Sequence, residues 1–326
     1  MLQLEGTVIG GDFRVLGPLA SGGMGGVYVA EQLSTGQQRA LKIMHATLVA
    51  DPRMRERFAQ EARVGAQVHS QHVVQVIGAG VDPQHGVPWL AMELLHGEDL
   101  AHLAARRRVL PISEVVPIFK QLCHALGAAH DAGIVHRDIK PENVFLANIQ
   151  SSDSSLQVKV LDFGIAKLVA DAQQSATGQI GTPLWMAPEQ SDQHQHVTPA
   201  ADVWALGLLA FRLLTGKFYW RVANDGSGQL SALFRETIME PIVRASERAR
   251  EYGVEGSLPP GFDAWFAHCV ARDPSQRFQS ARDAFAALEG LSPGATLPLA
   301  HAATVSAPLP ATQSSHPVAP TPQPAA

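Results

Sequence analysis

The chain has 326 residues, a net charge of −5, and 46% hydrophobic against 17% charged residues, the balance of a globular protein longer than one typical domain. That acidic balance gives no electrostatic reason to expect nucleic acid as a partner. The opening "MLQLEGTVIGGDF" lacks a basic n-region, and the apolar run Val203 to Leu214 is short and holds Arg212, so neither a secretory signal nor a membrane span is expected and the reading is cytoplasmic. Cys123 and Cys269 are the only cysteines; they read as free core thiols, and two make no zinc site.

After an extension over residues 1–12, the stretches "FRVLGPLA", "GVYVAEQ" and "QRALKIM" read as consecutive antiparallel strands, each short, alternating and bounded by turns. Between them lies "LASGGMGGVYVA", Leu19 to Ala30, whose glycines fit either a phosphate cradle or a loose hairpin. Pro52 to Val68 reads as a helix, with Pro52 in the first turn and Met54, Phe58, Ala62 and Gly65 on one stripe. Strand signals return in "VVQVIGAGV" and "WLAMELL". Beyond Gly97 helices dominate: Ser113 to Ala132 turns Val116, Phe119, Leu122, Leu126 and Ala129 inward, and Ala201 to Leu214 is apolar nearly all round and therefore buried. From Leu291 to Ala326 there is no Asp, Glu, Lys or Arg and there are eight of the 22 prolines, a composition that cannot offset its ordering entropy. The expected organisation is a β-rich unit over 13–96, an α-rich unit over 97–289 and a disordered Pro/Ala-rich tail over 290–326.

Three further stretches carry chemistry. "HRDIKPEN", His136 to Asn143, sets a carboxylate, a lysine and an amide close together after a helix; "LDFGIA" delivers Asp162 from a β-run into a turn; "APEQ" follows at Ala187 to Gln190. Their order and companions match the protein-kinase signature set. The sequence resembles the eukaryotic-type Ser/Thr protein kinases over about Phe13 to Glu289, and "GGMGGVY" and "GTPLWMAPEQ" look like the bacterial branch. The resemblance implies an α+β, two-lobed fold, with an antiparallel β-rich N-lobe carrying one main helix and a larger helical C-lobe. It implies ATP-dependent transfer of the γ-phosphoryl group to Ser/Thr hydroxyls of protein substrates, with Mg²⁺, or Mn²⁺ in its place.

Phosphoryl transfer asks a protein mainly to position reactants and compensate charge. By resemblance, Asp138 is the base, Lys140 neutralises the transferred group, and Asn143 and Asp162 hold the metal, which takes oxygen donors. Lys42 contacts the α and β phosphates, and its apolar neighbours Leu41 and Ile43 make an unpaired ammonium expensive, so Glu61 on the following helix is its expected partner. The glycine loop, Leu19, Ala20, Ser21, Gly22, Gly23, Met24, Gly25, Gly26 and Val27, covers the nucleotide; Ala20 replaces the first pattern glycine and is expected in an extended conformation. Ala40 and Phe145 complete the adenine pocket beside Met92, the main chain of Glu93 and Leu95 bonds the adenine edge, and Asp99 takes the ribose. Glu189 and Arg277 resemble a buried ion pair, Asp202 a brace of the catalytic loop, and His136 a core histidine. Arg137 marks activation by loop phosphorylation, expected at Thr177 with Ser175 second, and self-association suits phosphorylation between copies. A catalytically silent scaffold and a small-molecule phosphotransferase are the rivals; the full set of charged residues opposes the first and "GTPLWMAPE" the second.

Overall fold

The computed structural model describes residues 4–22, 25–46, 68–148, 156–163, 183–192, 195–226 and 229–291. The small lobe is a six-stranded antiparallel sheet: β1 (Val8–Ile9), β2 (Phe13–Gly22), β3 (Gly25–Gln32), β4 (Gln37–Met44), β5 (Val76–Val81) and β6 (Pro88–Glu93), in the order β1-β2-β3-β4-β6-β5. Strand alternation sorts β4 cleanly. Leu41 and Ile43 join Ile9, Phe13, Val15, Tyr28 and Trp89 on one face. Ala40 and Met44 point the other way, with Val74, Leu90 and Met92, and Val27, Leu95 and Leu161 pack against them at the edge of the interlobe cleft. The expected helix over 52–68 falls outside the described residues up to position 67, as does Glu61.

A second sheet, β7 (Gly97–Asp99), β8 (Val144–Asn148) and β9 (Leu156–Val160), forms the floor of the cleft. Gly97 is where the chain leaving the small lobe meets β8: at φ +147 a Cβ there would lie 2.0 Å from the Leu146 carbonyl oxygen. The large lobe contributes seven α-helices among the described residues: α1 (Leu100–Arg107), α2 (Ile112–Asp131), α3 (Ala200–Thr215), α4 (Leu230–Phe234), α5 (Ala245–Glu251), α6 (Phe262–Cys269) and α7 (Ala281–Glu289). α4 runs directly into a π-turn over Arg235–Met239. The apolar segment expected over Ala201 to Leu214 is the central helix α3, and every residue from Ala200 to Thr215 except Arg212 is buried.

On α2, Phe119, Leu122, Leu126 and Ala129 are buried as expected; Val116 is half-buried and packs against the same core, and Val115 beside it is fully buried. Pro117 inside the helix has no amide to donate, yet the helix continues, because Phe119, Leu122 and Ala129 sit fully inside the core. Cys123 and Cys269 are both buried and free, and burial raises both thiols far above the usual range. The Pro/Ala-rich tail lies outside the described residues from position 292 on. Among the described residues no helix is long and apolar enough to cross a membrane.

Candidate active site

Residues 136–143 sit between two anchors, one buried and one half-buried. Asp202, in the first turn of α3 and 1% exposed, accepts the main-chain N–H of His136 at 2.9 Å, that of Arg137 at 2.8 Å, and shares a 2.8 Å bond with His130 Nε2. From the other side Gln190 Nε2 donates to the Arg137 carbonyl at 2.8 Å, while Gln190 Oε1 accepts Ala187 N–H at 3.0 Å. Gripped in this way, Arg137 adopts φ +70, a conformation that costs a non-glycine residue about 1–3 kcal/mol. His136 is a buried core histidine: Nε2 bonds the Leu161 carbonyl at 2.8 Å and the ring lies 4.5 Å from that of Phe163, edge to face.

The chain then delivers Asp138. Its Oδ2 accepts Lys140 Nζ at 2.8 Å and Asn143 Nδ2 at 2.9 Å, and Asn143 Nδ2 also donates to the Asp138 carbonyl at 2.7 Å. Oδ1 of Asp138 has no bond among the described residues, which leaves one carboxylate oxygen for an incoming hydroxyl. Because the Asn143 amide nitrogen is spent on Asp138, its oxygen is the end left for a cation.

Asp162 leaves β9 at φ +61, a left-handed residue that Asp tolerates better than most. Its Oδ2 lies 2.7 Å from Lys42 Nζ. Burial works against ionisation there, but the Lys42 ammonium outweighs it and holds the carboxyl below its usual range. The partner expected for Lys42, Glu61, lies outside the described residues; among the described ones Asp162 fills that role. The ammonium is shielded by the face it shares with Ala40 and Met44, because Leu41 and Ile43 belong to the opposite face.

The residues expected to face a nucleotide occupy both walls. Val27 pairs with Lys42 in register and Ala40 with Met92. Leu19 is 51% exposed and projects no contact into the core. Ala20, Ser21 and Gly22 continue β2, paired with Val27, Gly26 and Gly25, and Ala20 is not among the positive-φ residues, so its backbone is extended as expected. Gly25, at φ +146, would drive a Cβ to 2.0 Å from the Ile43 carbonyl oxygen, so the returning strand accepts only glycine there. Gly23 and Met24 lie outside the described residues. On the floor Phe145, half-buried, pairs with Asp99 and Lys159. Asp99 caps α1: its carboxylate accepts His102 N–H at 2.8 Å and meets the His102 ring nitrogen at 2.8 Å. Glu93 ends β6, and Leu95 packs at the cleft edge.

Behind the loop, Arg277 meets Glu189 through two bonds of 2.7 and 2.8 Å, both side chains essentially unexposed, and also donates to the carbonyls of Ala200 and Ala271. Its guanidinium lies 5.0 Å above the Trp204 ring. Arg137 has no side-chain partner among the described residues, and Thr177 and Ser175 fall outside them. Two features have no sequence signal: the left-handed backbones of Arg137 and Asp162, which depend on distant bonds, and the pairing of Lys159 with Glu93 at 2.7 Å.

The donors suit a hard cation. Asp162 and Asn143 offer oxygen donors, the type such a cation takes, and the Lys42 ammonium already occupies a position where Asp162 holds positive charge. Charged and polar groups converging on a cleft between two lobes are the arrangement that phosphoryl transfer needs.

Comparison with known proteins agrees. The family described as the protein kinase domain matches residues 13–287. The serine/threonine-protein kinase pkn2 of Myxococcus xanthus is 36% identical over 311 residues, which cover 91% of this chain and 35% of that protein. PknL of Mycobacterium tuberculosis is 34% identical over 296 residues, covering 90% of this chain and 69% of that one. The chain spans about a third of the two Myxococcus relatives it matches. Among solved structures, the kinase domain of Mycobacterium tuberculosis PknI superposes with a TM-score of 0.68 at 27% identity, over 88% of this chain and 99% of that one. With a two-lobed fold and a catalytic loop of this geometry, the chain belongs to the protein kinase family, beside the bacterial serine/threonine-protein kinases.

Proposed function

We propose that this chain transfers the γ-phosphoryl group of ATP to Ser or Thr hydroxyls of protein substrates. The observation that carries the reading is two bonded groups, Lys42 with Asp162 and Asp138 with Lys140 and Asn143, held beside each other by Leu161, whose N–H donates to the Asn143 carbonyl at 2.9 Å. Asp138 orients the acceptor hydroxyl through Oδ1 and takes its proton as the new O–P bond forms and the bond from the γ phosphorus to the β–γ bridging oxygen breaks, releasing ADP. Lys140, held 2.8 Å from Asp138, compensates charge on the transferred group. Lys42 moves from Asp162 to the α and β phosphates, and Asp162 with Asn143 holds the metal. Bound Mg²⁺, or Mn²⁺ in its place, supplies charge stabilisation to the phosphate oxygens. Leu19, Val27, Ala40 and Phe145 enclose the adenine, the Glu93 and Leu95 main chain bonds its edge, and Asp99 adds ribose hydroxyls to the bonds it already accepts.

Activation follows from Arg137. A phosphate adds about −1.5 to −2 charges and makes one to three charge-assisted bonds with an arginine such as this one, which has no side-chain partner among the described residues. Autophosphorylation at Thr177, with Ser175 second, supplies that phosphate, and transient pairing of two copies suits transfer between them. The test is incubation of purified protein with ATP and Mg²⁺ followed by phosphosite mapping, alongside Asp138→Ala. Phosphate on Ser or Thr of the chain or of an added protein, absent in the variant, supports the reading; nucleotide binding without transfer supports a scaffold instead. An unmodified loop in fully active protein refutes the activation step.

A further inference from the structure

Asp99 has two claims on one carboxylate. It lies opposite Phe145 in the β7–β8 register, and paired residues of antiparallel strands share a face, so it stands on the side proposed to receive the nucleotide. It is also the N-cap of α1, where Oδ1 accepts His102 N–H at 2.8 Å. The His102 ring then lies across both oxygens, its Nδ1 2.8 Å from Oδ1 and 2.9 Å from Oδ2. A carboxylate offers about four lone-pair positions, and three contacts, all from His102, already fall on this one. The two kinds of contact differ in permanence. The N–H bond belongs to the helix and persists with it. The ring belongs to a side chain 78% exposed, against 19% for that of Asp99, so it can swing into water at little cost.

What keeps the ring in place is charge. His102 is the third residue of α1, a position where Glu or Gln completes a cap and where positive charge opposes the helix dipole. The first turn of α1 holds no acid, so a protonated ring has to draw on acids outside the helix. α1 packs against β7, the 3-10 turn Pro141–Asn143 and β8. The charged side chains on these are Glu98 and Asp99 on β7 and the exposed Glu142 on the turn, with none on β8. Along α1, Arg106 is engaged by Glu98 and Arg107 by Glu114. The bond to Asp99 and the charge of Asp99, aided by Glu98, raise the imidazole above its ordinary value.

We propose that His102 is a positioning residue that governs access to Asp99: its protonated ring holds the carboxylate against ribose hydroxyls, and loss of that proton frees the carboxylate to accept them. The proposal rests on the nucleotide reading of the cleft and adds a control on its recognition of sugar. A raised value means that the ring is charged below it and neutral above, so sugar recognition strengthens as pH rises through it. A nucleotide that displaces the ring releases protons between the ordinary and the raised value. The test compares Mg²⁺-ATP with Mg²⁺-2′,3′-dideoxyATP by calorimetric titration from about pH 6 to about pH 8. Both carry the same triphosphate, so its own titration cancels from the ratio of affinities. In the unaltered chain the ratio in favour of ATP rises about two- to fivefold over this range, the size expected of an exposed ion pair. His102→Gln, which suits that helix position, holds the ratio at its high value throughout, and Asp99→Asn, which keeps the cap, holds it low and flat. NMR titration of His102, identified by the resonance that His102→Gln removes, reads the pair without ligand, and it titrates higher in the unaltered chain than in Asp99→Asn. A flat ratio in the unaltered chain, or a rise that survives in His102→Gln, overturns the proposal. Equal His102 titration in the unaltered chain and in Asp99→Asn overturns the pair on which it stands. Mg²⁺-ATP that binds at no pH overturns the nucleotide reading, whatever the NMR titration shows.

Discussion

The two walls of the cleft are built on different principles. On the large-lobe side, Asp138 and Asn143 are held by bonds to each other, and Arg137 by Asp202 and Gln190, with the Glu189–Arg277 pair buried behind. On the small-lobe side, Val27, Ala40 and Lys42 are placed by strand register, and Lys42 takes a partner across the cleft in Asp162. A wall held by a buried polar network keeps its shape without ligand, at the cost of left-handed backbones at Arg137 and Asp162. A wall placed by register keeps its strands but leaves side chains such as Leu19 exposed until something covers them. The candidate base Asp138 is therefore pre-positioned, whereas the proposed nucleotide side is the wall left open for a ligand to complete.

That contrast can be broken most directly at the base. Asp138→Asn is expected to lower phosphoryl transfer by about 10²- to 10⁴-fold while nucleotide affinity, set by the other wall, stays the same; radiolabel transfer and a separate nucleotide titration measure the two. A parallel loss of affinity would show that the walls are not independent.

Next in size is the support behind the loop. Arg277→Met strands the Glu189 carboxylate in a buried site and is expected to cost about 3–5 kcal/mol in denaturant unfolding. The double variant with Glu189→Leu, which removes the stranded charge, should recover part of it; no recovery would point to lost packing on Trp204 instead.

Asp202→Asn tests the brace and its pH dependence. Burial raises the Asp202 carboxyl, but the His130 bond and charge, the charge of His136 and the Arg137 amide bond outweigh it, so the group titrates below its usual range. A depressed folded-state pKa means stability that is fully present above the unfolded value and lost as pH falls through the folded one. Urea unfolding between about pH 3 and 7 should show the acid limb shallower in Asp202→Asn than in the unaltered chain, with about 1–3 kcal/mol lost near neutrality. Equal acid slopes would remove Asp202 as the source.

The smallest effect sharpens the register side. Ala20 is already extended and paired with Val27, so Ala20→Gly relieves no strain. It should cost about 0.5–1 kcal/mol of stability and leave ATP affinity within about twofold, as read by thermal unfolding and titration. Tighter nucleotide binding in that variant would mean the alanine strains the loop after all.

Legibility in the sequence follows the same divide. The β4 alternation, the buried α3 and the polar motif at 136–143 were readable because each depends on residues a few positions apart. The same local reading placed Leu41 and Ile43 beside Lys42, although strand periodicity sends them to the far face, and it named Val116, which packs against the core, without Val115, which is fully inside it. Asp99 shows the limit in another form: its type suggests a ligand for sugar hydroxyls, and its place at the start of α1 also makes it a helix cap.

Sequence by itself determined the order of the polar motifs and pointed to the two-lobed fold and to the residues proposed as base and metal ligands, because motif order and short spacing are legible in residue type. Tertiary structure decided that Lys42 meets Asp162 across 120 positions, that Arg137 and Asp162 are left-handed, and that Lys159 reaches Glu93. Each of these depends on where two distant segments are packed, and packing is set by the whole core rather than by any local pattern.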